Sequence, residues 1–152
     1  MTHTQDFFHQ LKRLNNFLFF GLIIASALAI VLVASNIPGK ANEDINRFLQ
    51  GVAVLISVVT FFIGLQTFKK RVLMLRKSTE AVPLRLAQYR KACFNWWLIL
   101  FVPGILYIVF FVATGNYAFL VLALFNCVAI LLFRQRKENV QILLNLSEKQ
   151  LS

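Results

Sequence analysis

Four long apolar runs divide the chain, at about residues 16–35, 47–68, 94–114 and 117–133. A run of roughly 20 apolar residues is long enough to cross the ~30 Å hydrocarbon core of a bilayer as an α-helix. Polar and turn-forming residues separate the runs. The pattern therefore predicts an all-α integral membrane protein whose four spans pack as an antiparallel bundle.

Turn and capping residues mark where these helices begin and end. Residues 36–39 (Asn-Ile-Pro-Gly) interrupt the first helix. Asn42 is placed to cap the second helix, with Glu43 and Asp44 in its first turn, where the helix dipole favours acids. Only residues 114–117 join the third and fourth runs, so these two spans must be antiparallel neighbours.

Amphipathic segments accompany the four-span domain of residues 16–133. Residues 1–15 predict an amphipathic lead-in at the membrane interface, with a frayed terminus as the alternative. Helical periodicity continues beyond the second run, and Pro83 suits the first turn of a new helix. Residues 69–93 therefore predict a cytoplasmic helical hairpin, and residues 134–152 predict an amphipathic tail, on the membrane or packed on that hairpin.

Charge orients these segments. The chain is 59% hydrophobic and only 14% charged, and it carries 16 Lys and Arg against 6 Asp and Glu. Fourteen of the basic residues fall on the side of the two termini and the hairpin, whereas Lys40 and Arg47 fall on the other side. The positive-inside bias then predicts cytoplasmic termini in a plasma (inner) membrane. Because the basic residues cluster beside apolar runs, we expect no nucleic-acid partner.

Residues with catalytic or metal-binding chemistry are sparse in the apolar runs. Arg47, at the edge of the second run, is the only charged residue in them. Ionisable residues inside a membrane usually mark a functional site, so their scarcity here argues against one. Cys93 and Cys127 form no C-x-x-C pair, and His3 and His9 both precede the first run. We therefore predict no catalytic residue, no cofactor site and no metal site.

Steps of three and four residues align small or polar side chains along one face of the second helix. This stripe comprises Gln50, Ala53, Ser57, Thr60, Gly64 and Thr67. Such a stripe predicts close packing against another helix, and the alternative is the lining of a pore formed by several copies. Asn126, in the fourth run, is expected to clasp a neighbouring helix, with the stripe as one candidate partner. A ligand or ion contact is the alternative.

The basic stretch between the second and third runs holds half of all Lys and Arg residues. They are Lys69, Lys70, Arg71, Arg76, Lys77, Arg85, Arg90 and Lys91. The stretch is interpreted as a topology signal with a solvated face, as a surface that attracts anionic lipid at about 1 kcal/mol per basic residue, or as a docking site for an acidic protein. Its amphipathic arms favour the last two.

These features predict a non-catalytic membrane subunit or scaffold. Its stripes would pack with other membrane helices, as a homo-oligomer or in a larger complex, and its hairpin would meet anionic membrane lipid or a partner. One alternative is an oligomeric pore or small transporter, and another is a lipid-modifying membrane enzyme. In size and span number the chain is similar to the small four-span glutathione and eicosanoid membrane enzymes. It lacks their charged intramembrane cofactor site, so no residue role is transferred.

Overall fold

A computed structural model describes residues 2–35, 42–134 and 137–144. These residues form five α-helices and no strand: α1 (Thr2–Ala34), α2 (Glu43–Lys77), α3 (Val82–Thr114), α4 (Tyr117–Leu132) and α5 (Lys137–Leu144). The predicted turn at residues 36–39 and the tail beyond residue 144 lie outside the described residues. The predicted all-α class is confirmed for the described part of the chain.

Helix α1 joins the predicted lead-in and the first apolar run in one continuous helix of 33 residues. No proline interrupts it, and Phe7 and Leu11 of the lead-in are buried in the core, whereas Gln10 and Lys12 are exposed. Asn15, between the two halves, donates a hydrogen bond from Nδ2 to the carbonyl of Ile130 at 3.1 Å. Tertiary packing therefore ties the lead-in to α4.

Helices α2 and α3 extend well past the apolar runs and form the two arms of the basic hairpin. Helix α2 continues to Lys77, and α3 begins at Val82 with Pro83 in its first turn, where a missing N–H costs no helical bond. Val72 and Leu75 of one arm and Leu86 of the other are buried. Apolar packing thus holds the arms at their inner sides. Asn42 precedes α2 without a capping side-chain bond.

The helices form a loose four-helix bundle with α3 and α4 in the middle. Helix α3 packs on α1, α2 and α4, whereas α1 and α2 are not a principal packing pair. The Gly115–Asn116 turn forces α3 and α4 together, with Gly115 in the left-handed region at φ 68°. Helix α5 packs on α2. The two outer helices are therefore separated by the central pair.

Hydrogen bonds identify the two ends of this antiparallel arrangement. At one end, Asn116 in the α3–α4 turn donates to Asn46 at the start of α2, at 3.2 Å. At the opposite end, Arg90 of α3 donates to Gln10 of α1. We call the first the turn end and the second the basic end, since the 69–93 hairpin lies there.

Large aromatic side chains fill the core, and apolar side chains also cover much of the outside. Trp96, Trp97 and Tyr107 of α3 are fully buried. On the outer helices Phe17 is 73% exposed and Phe48 is 71% exposed. By length and composition α1, α2 and α3 could each cross a membrane, whereas α4 has 16 residues and is shorter than the ~20 that a full crossing takes.

Gly64 provides a test of the α2–α3 contact. A Cβ atom there would lie 2.6 Å from the Trp96 ring and 2.9 Å from Ile99, so Gly64→Ala should destabilise the fold by about 1–3 kcal/mol through overpacking. A Cβ at Gly51 would meet nothing within 4 Å, so Gly51→Ala should gain up to about 1 kcal/mol of helix propensity. Reversible unfolding in mixed detergent micelles measures both. Equal effects at the two glycines would contradict this packing.

Candidate functional site

The centre of the predicted α2 stripe faces α3 in the same chain. The Ser57 hydroxyl donates to the Tyr107 hydroxyl at 2.7 Å, and Tyr107 donates in turn to the Ala53 carbonyl at 3.0 Å. Ala53 and Gly64 are buried. One turn after another, the small residues of the stripe allow α3 to approach α2 closely.

The remaining stripe residues lie differently. Thr60 donates to the Ile56 carbonyl at 2.6 Å, and Thr67 donates to the Ile63 carbonyl at 2.8 Å, so both hydroxyls are satisfied one turn back in their own helix. Thr67 is exposed, and Gln50 is half-buried near the turn end. The stripe is therefore not one continuous polar surface.

Asn126 lies where α1, α3 and α4 meet. It is buried, and its Nδ2 donates to the Leu122 carbonyl of its own helix at 3.0 Å, in place of the partner on the α2 stripe considered from the sequence. A Cβ atom on Gly104 would lie 3.6 Å from the Asn126 Cβ and 2.9 Å from a Leu22 methyl. Asn126 thus occupies a tightly packed junction of three helices.

Two buried polar side chains, Asn15 and Ser26, were not singled out from the sequence. Within the part of the chain that the structure describes, the Asn15 Oδ1, the Ser26 hydroxyl and the Trp96 Nε1 are buried without a hydrogen-bond partner. Asn15 lies at the boundary between the lead-in and the first apolar run. That position is the only feature of the sequence that could have indicated a role for it. Its Nδ2 bond to Ile130 shows that it helps to dock α1 on α4.

Charge is strongly segregated between the two ends of the bundle. Among the described side chains, the basic end carries eleven basic residues against the acids Asp6 and Glu80, and the turn end carries Arg47 against Glu43 and Asp44. The eleven are Lys12, Arg13, Lys69, Lys70, Arg71, Arg76, Lys77, Arg85, Arg90, Lys91 and Arg134. The basic end is therefore the electrostatically distinctive part of the molecule.

Two of the eight predicted contact residues are engaged within the chain. Arg85 is half-buried and donates through Nε to the Leu75 carbonyl at 3.0 Å and through a terminal nitrogen to the Leu144 carbonyl at 2.6 Å. These carbonyls lie at the C-terminal ends of α2 and α5, where a cation is favourable. Arg90 donates to Gln10. Arg85 therefore ties α5 to the hairpin.

The other six predicted contact residues are available to a ligand. They are Lys69, Lys70, Arg71, Arg76, Lys77 and Lys91. All six are exposed, and none makes a side-chain hydrogen bond or ion pair within the part of the chain that the structure describes. Glu80, the one acid of the hairpin, accepts a bond from Gln88 at 2.9 Å. Among the described side chains, this leaves a cluster of positive charge without compensating acids at the basic end.

Cys93 has none of the properties of a nucleophile. It is fully buried beside Tyr89, and burial raises the pKa of its thiol to about 12, even though a hydrogen bond with Tyr89 acts in the opposite direction. The thiol is therefore protonated at neutral pH. Among the residues described, no three His, Cys, Asp or Glu side chains group as metal ligands would.

Comparison with protein families, curated proteins and solved structures finds no match in any of the three. A function for the chain is therefore inferred from its own geometry. The features that bear on it are the exposed apolar outer helices and the cations gathered at the basic end.

The Arg85 bridge predicts a local effect on α5. Arg85→Gln removes two charge-assisted hydrogen bonds, which are worth about 1.5–3 kcal/mol each in proteins. Amide hydrogen exchange in α5 should therefore become several-fold faster. Lys91→Gln, which removes the same charge from an exposed side chain, should leave it unchanged. Unaltered exchange in Arg85→Gln would show that the bridge does not hold α5.

Proposed function

We propose that this chain is a multi-pass membrane protein that acts as a non-catalytic subunit or scaffold and binds anionic lipid through its basic hairpin. The observation that carries the proposal is the segregation of eleven basic residues at one end of long apolar helices. Both termini and the 69–93 hairpin would lie at the cytoplasmic face, and the turn end would face outward.

The outward sides of α1 and α2 support membrane insertion. Phe17, Phe20 and Leu28 on α1, and Phe48 and Leu55 on α2, are all more than half exposed. Water-soluble proteins rarely expose large continuous apolar patches, whereas a bilayer solvates them. The same surfaces are available for other membrane helices, either in a second copy of this chain or in another subunit.

The short helix α4 is compatible with this placement. Its 16 residues are about 24 Å long at 1.5 Å per residue, which is less than the hydrocarbon core of ~30 Å. It packs on α3 and α1, and to a lesser extent on α2, so lipid meets only part of its surface. A short helix is accommodated by local thinning of the bilayer at modest cost.

The exposed cations of the hairpin favour anionic lipid. They begin at Lys69, directly after the apolar part of α2, and so would stand at headgroup level. Basic residues near an anionic surface contribute about 1 kcal/mol each, and six of them carry no compensating partner among the described residues. A pore lined by the α2 stripe is not proposed, because Ser57 donates to Tyr107, and Tyr107 to the Ala53 carbonyl, inside one chain.

Orientation is testable with introduced cysteines, because both native cysteines are buried. Thr79→Cys in the hairpin and Ser35→Cys after α1 place one exposed thiol at each end. In right-side-out membrane vesicles an impermeant maleimide should label Ser35→Cys at once and Thr79→Cys only after permeabilisation. Wild-type protein should remain unlabelled in both states. The reverse order for the two variants would refute the proposed topology.

Lipid preference is testable by neutralising four hairpin cations together. The variant replaces four residues by Gln: Lys70, Arg71, Arg76 and Lys77. Wild type and variant are extracted into nanodiscs from membranes of mixed phosphatidylglycerol and phosphatidylcholine. Mass spectrometry then quantifies the lipids that co-purify with each protein. The wild type should be enriched several-fold in phosphatidylglycerol, and the variant should lose most of this enrichment.

Two controls accompany the lipid measurement. Arg47→Gln, at the turn end, should keep the enrichment. High salt should reduce the difference between wild type and the fourfold variant, because exposed charges are screened. No enrichment in the wild type would refute lipid binding by the hairpin, and a stoichiometric acidic protein recovered instead would identify a different occupant of the basic surface.

A further inference from the structure

A cleft of about 390 Å³ opens at the basic end, between α2, the end of α4 and α5. Binding sites for small ligands start at about 300 Å³, so the cleft is large enough to hold part of an amphiphile. Lys69 of α2, Arg134 after α4 and Asn139 of α5 form its polar lining, and apolar side chains from α2, the end of α4 and α5 complete it. Three separate chain segments therefore contribute to it.

The polar part of this lining is complementary to an anion. Lys69 comes from α2 and Arg134 from the segment after α4, and neither makes a side-chain hydrogen bond or ion pair with another described residue. Asn139 of α5 adds an amide that can donate. No carboxylate is among the lining side chains that the structure describes. Two cations contributed by separate chain segments would suit a phosphate, which accepts several charge-assisted bonds.

The apolar part of the lining indicates that the anion carries a hydrocarbon chain. Six of the nine lining residues are apolar, and they come from α2, from the end of α4 and from α5. Free inorganic phosphate would gain nothing from them, whereas burying acyl methylenes is favourable. The cleft therefore combines cations with apolar side chains, and a phospholipid combines an anionic headgroup with acyl chains.

We infer that this cleft binds a single anionic phospholipid, with its phosphate between Lys69 and Arg134 and acyl chain against the apolar lining. The inference rests on the proposed membrane insertion, which puts the cleft at headgroup depth. It adds a defined site to the diffuse attraction of the hairpin. Arg85 is a positioning residue for this site, because it holds the end of α5 and α5 forms one wall.

Both tryptophans of the chain contact residues that line the cleft. The Trp96 ring lies 6.2 Å from the Phe68 ring and 5.2 Å from the Phe133 ring, measured between centroids. Trp97 donates from Nε1 to the Phe133 carbonyl at 3.4 Å. Because the chain has only two tryptophans and both contact cleft-lining residues, its intrinsic fluorescence should be sensitive to what occupies the cleft.

The experiment is fluorescence quenching by phospholipids with brominated acyl chains, in nanodiscs. Wild-type protein should be quenched several-fold more by brominated phosphatidylglycerol than by brominated phosphatidylcholine at equal mole fraction. Lys69→Gln with Arg134→Gln should abolish this preference. The matched pair Lys70→Gln with Arg71→Gln also removes two positive charges, from the two residues that follow Lys69 on α2. This pair should keep the preference for phosphatidylglycerol.

The charge-preserving variant Lys69→Arg with Arg134→Lys should also retain the preference. For each variant, amide hydrogen exchange in α5 that is identical to wild type verifies that the protein is folded. An equal loss in both Gln pairs would overturn the site and leave the diffuse attraction of the hairpin standing. Absence of any preference in the wild type, with phosphatidylglycerol still enriched among co-purified lipids, would overturn the site alone. Absence of that enrichment would instead count against the proposed function.

Discussion

The central position of α3 is the constraint on which the rest of the structure depends. Helix α3 packs on α1, α2 and α4 at once. This requires small residues at its closest approaches: Gly64 of α2 against Trp96, and Gly104 of α3 against Leu22 of α1. Since α3 and α4 occupy the middle, α1 and α2 are held apart and each keeps an outward apolar side. That outward surface is what favours a bilayer, or other membrane helices, as the surroundings of the bundle.

The same packing sorts the positive charges into two kinds. Arg85 bonds the carbonyl ends of α2 and α5, and Arg90 bonds Gln10, so these two side chains hold helices together. Lys69 and its exposed neighbours have no such partners among the described residues. Because α5 is tied against α2, Lys69 and Arg134 come to share a cleft that also carries apolar side chains. The basic hairpin and the proposed phospholipid site thus depend on one arrangement of helices.

Much of the helical framework was predictable, and most side-chain roles were not. Apolar run length and the position of Pro83 predicted the helices and the beginning of α3, because both act locally along the chain. The lead-in fuses with the first apolar run, since Phe7 and Leu11 find buried contacts that no local pattern specifies. Asn126 satisfies its amide one turn back, and its neighbours come from helices distant in sequence. The Arg85 bridge was missed because a carbonyl at the end of a helix leaves no signal in a list of residue types.

The sequence by itself determined the helical class, three long apolar helices and the gathering of basic residues beside them, because hydrophobicity and charge are properties of each residue in order. Tertiary structure decided which helices touch, which residues of the α2 stripe meet α3, and which arginines form hydrogen bonds within the chain. It also decided that Lys69, Arg134 and Asn139 line one cleft. The physical reason is that close packing and hydrogen bonding depend on distances between residues far apart in the chain, and these distances exist only once the helices have docked.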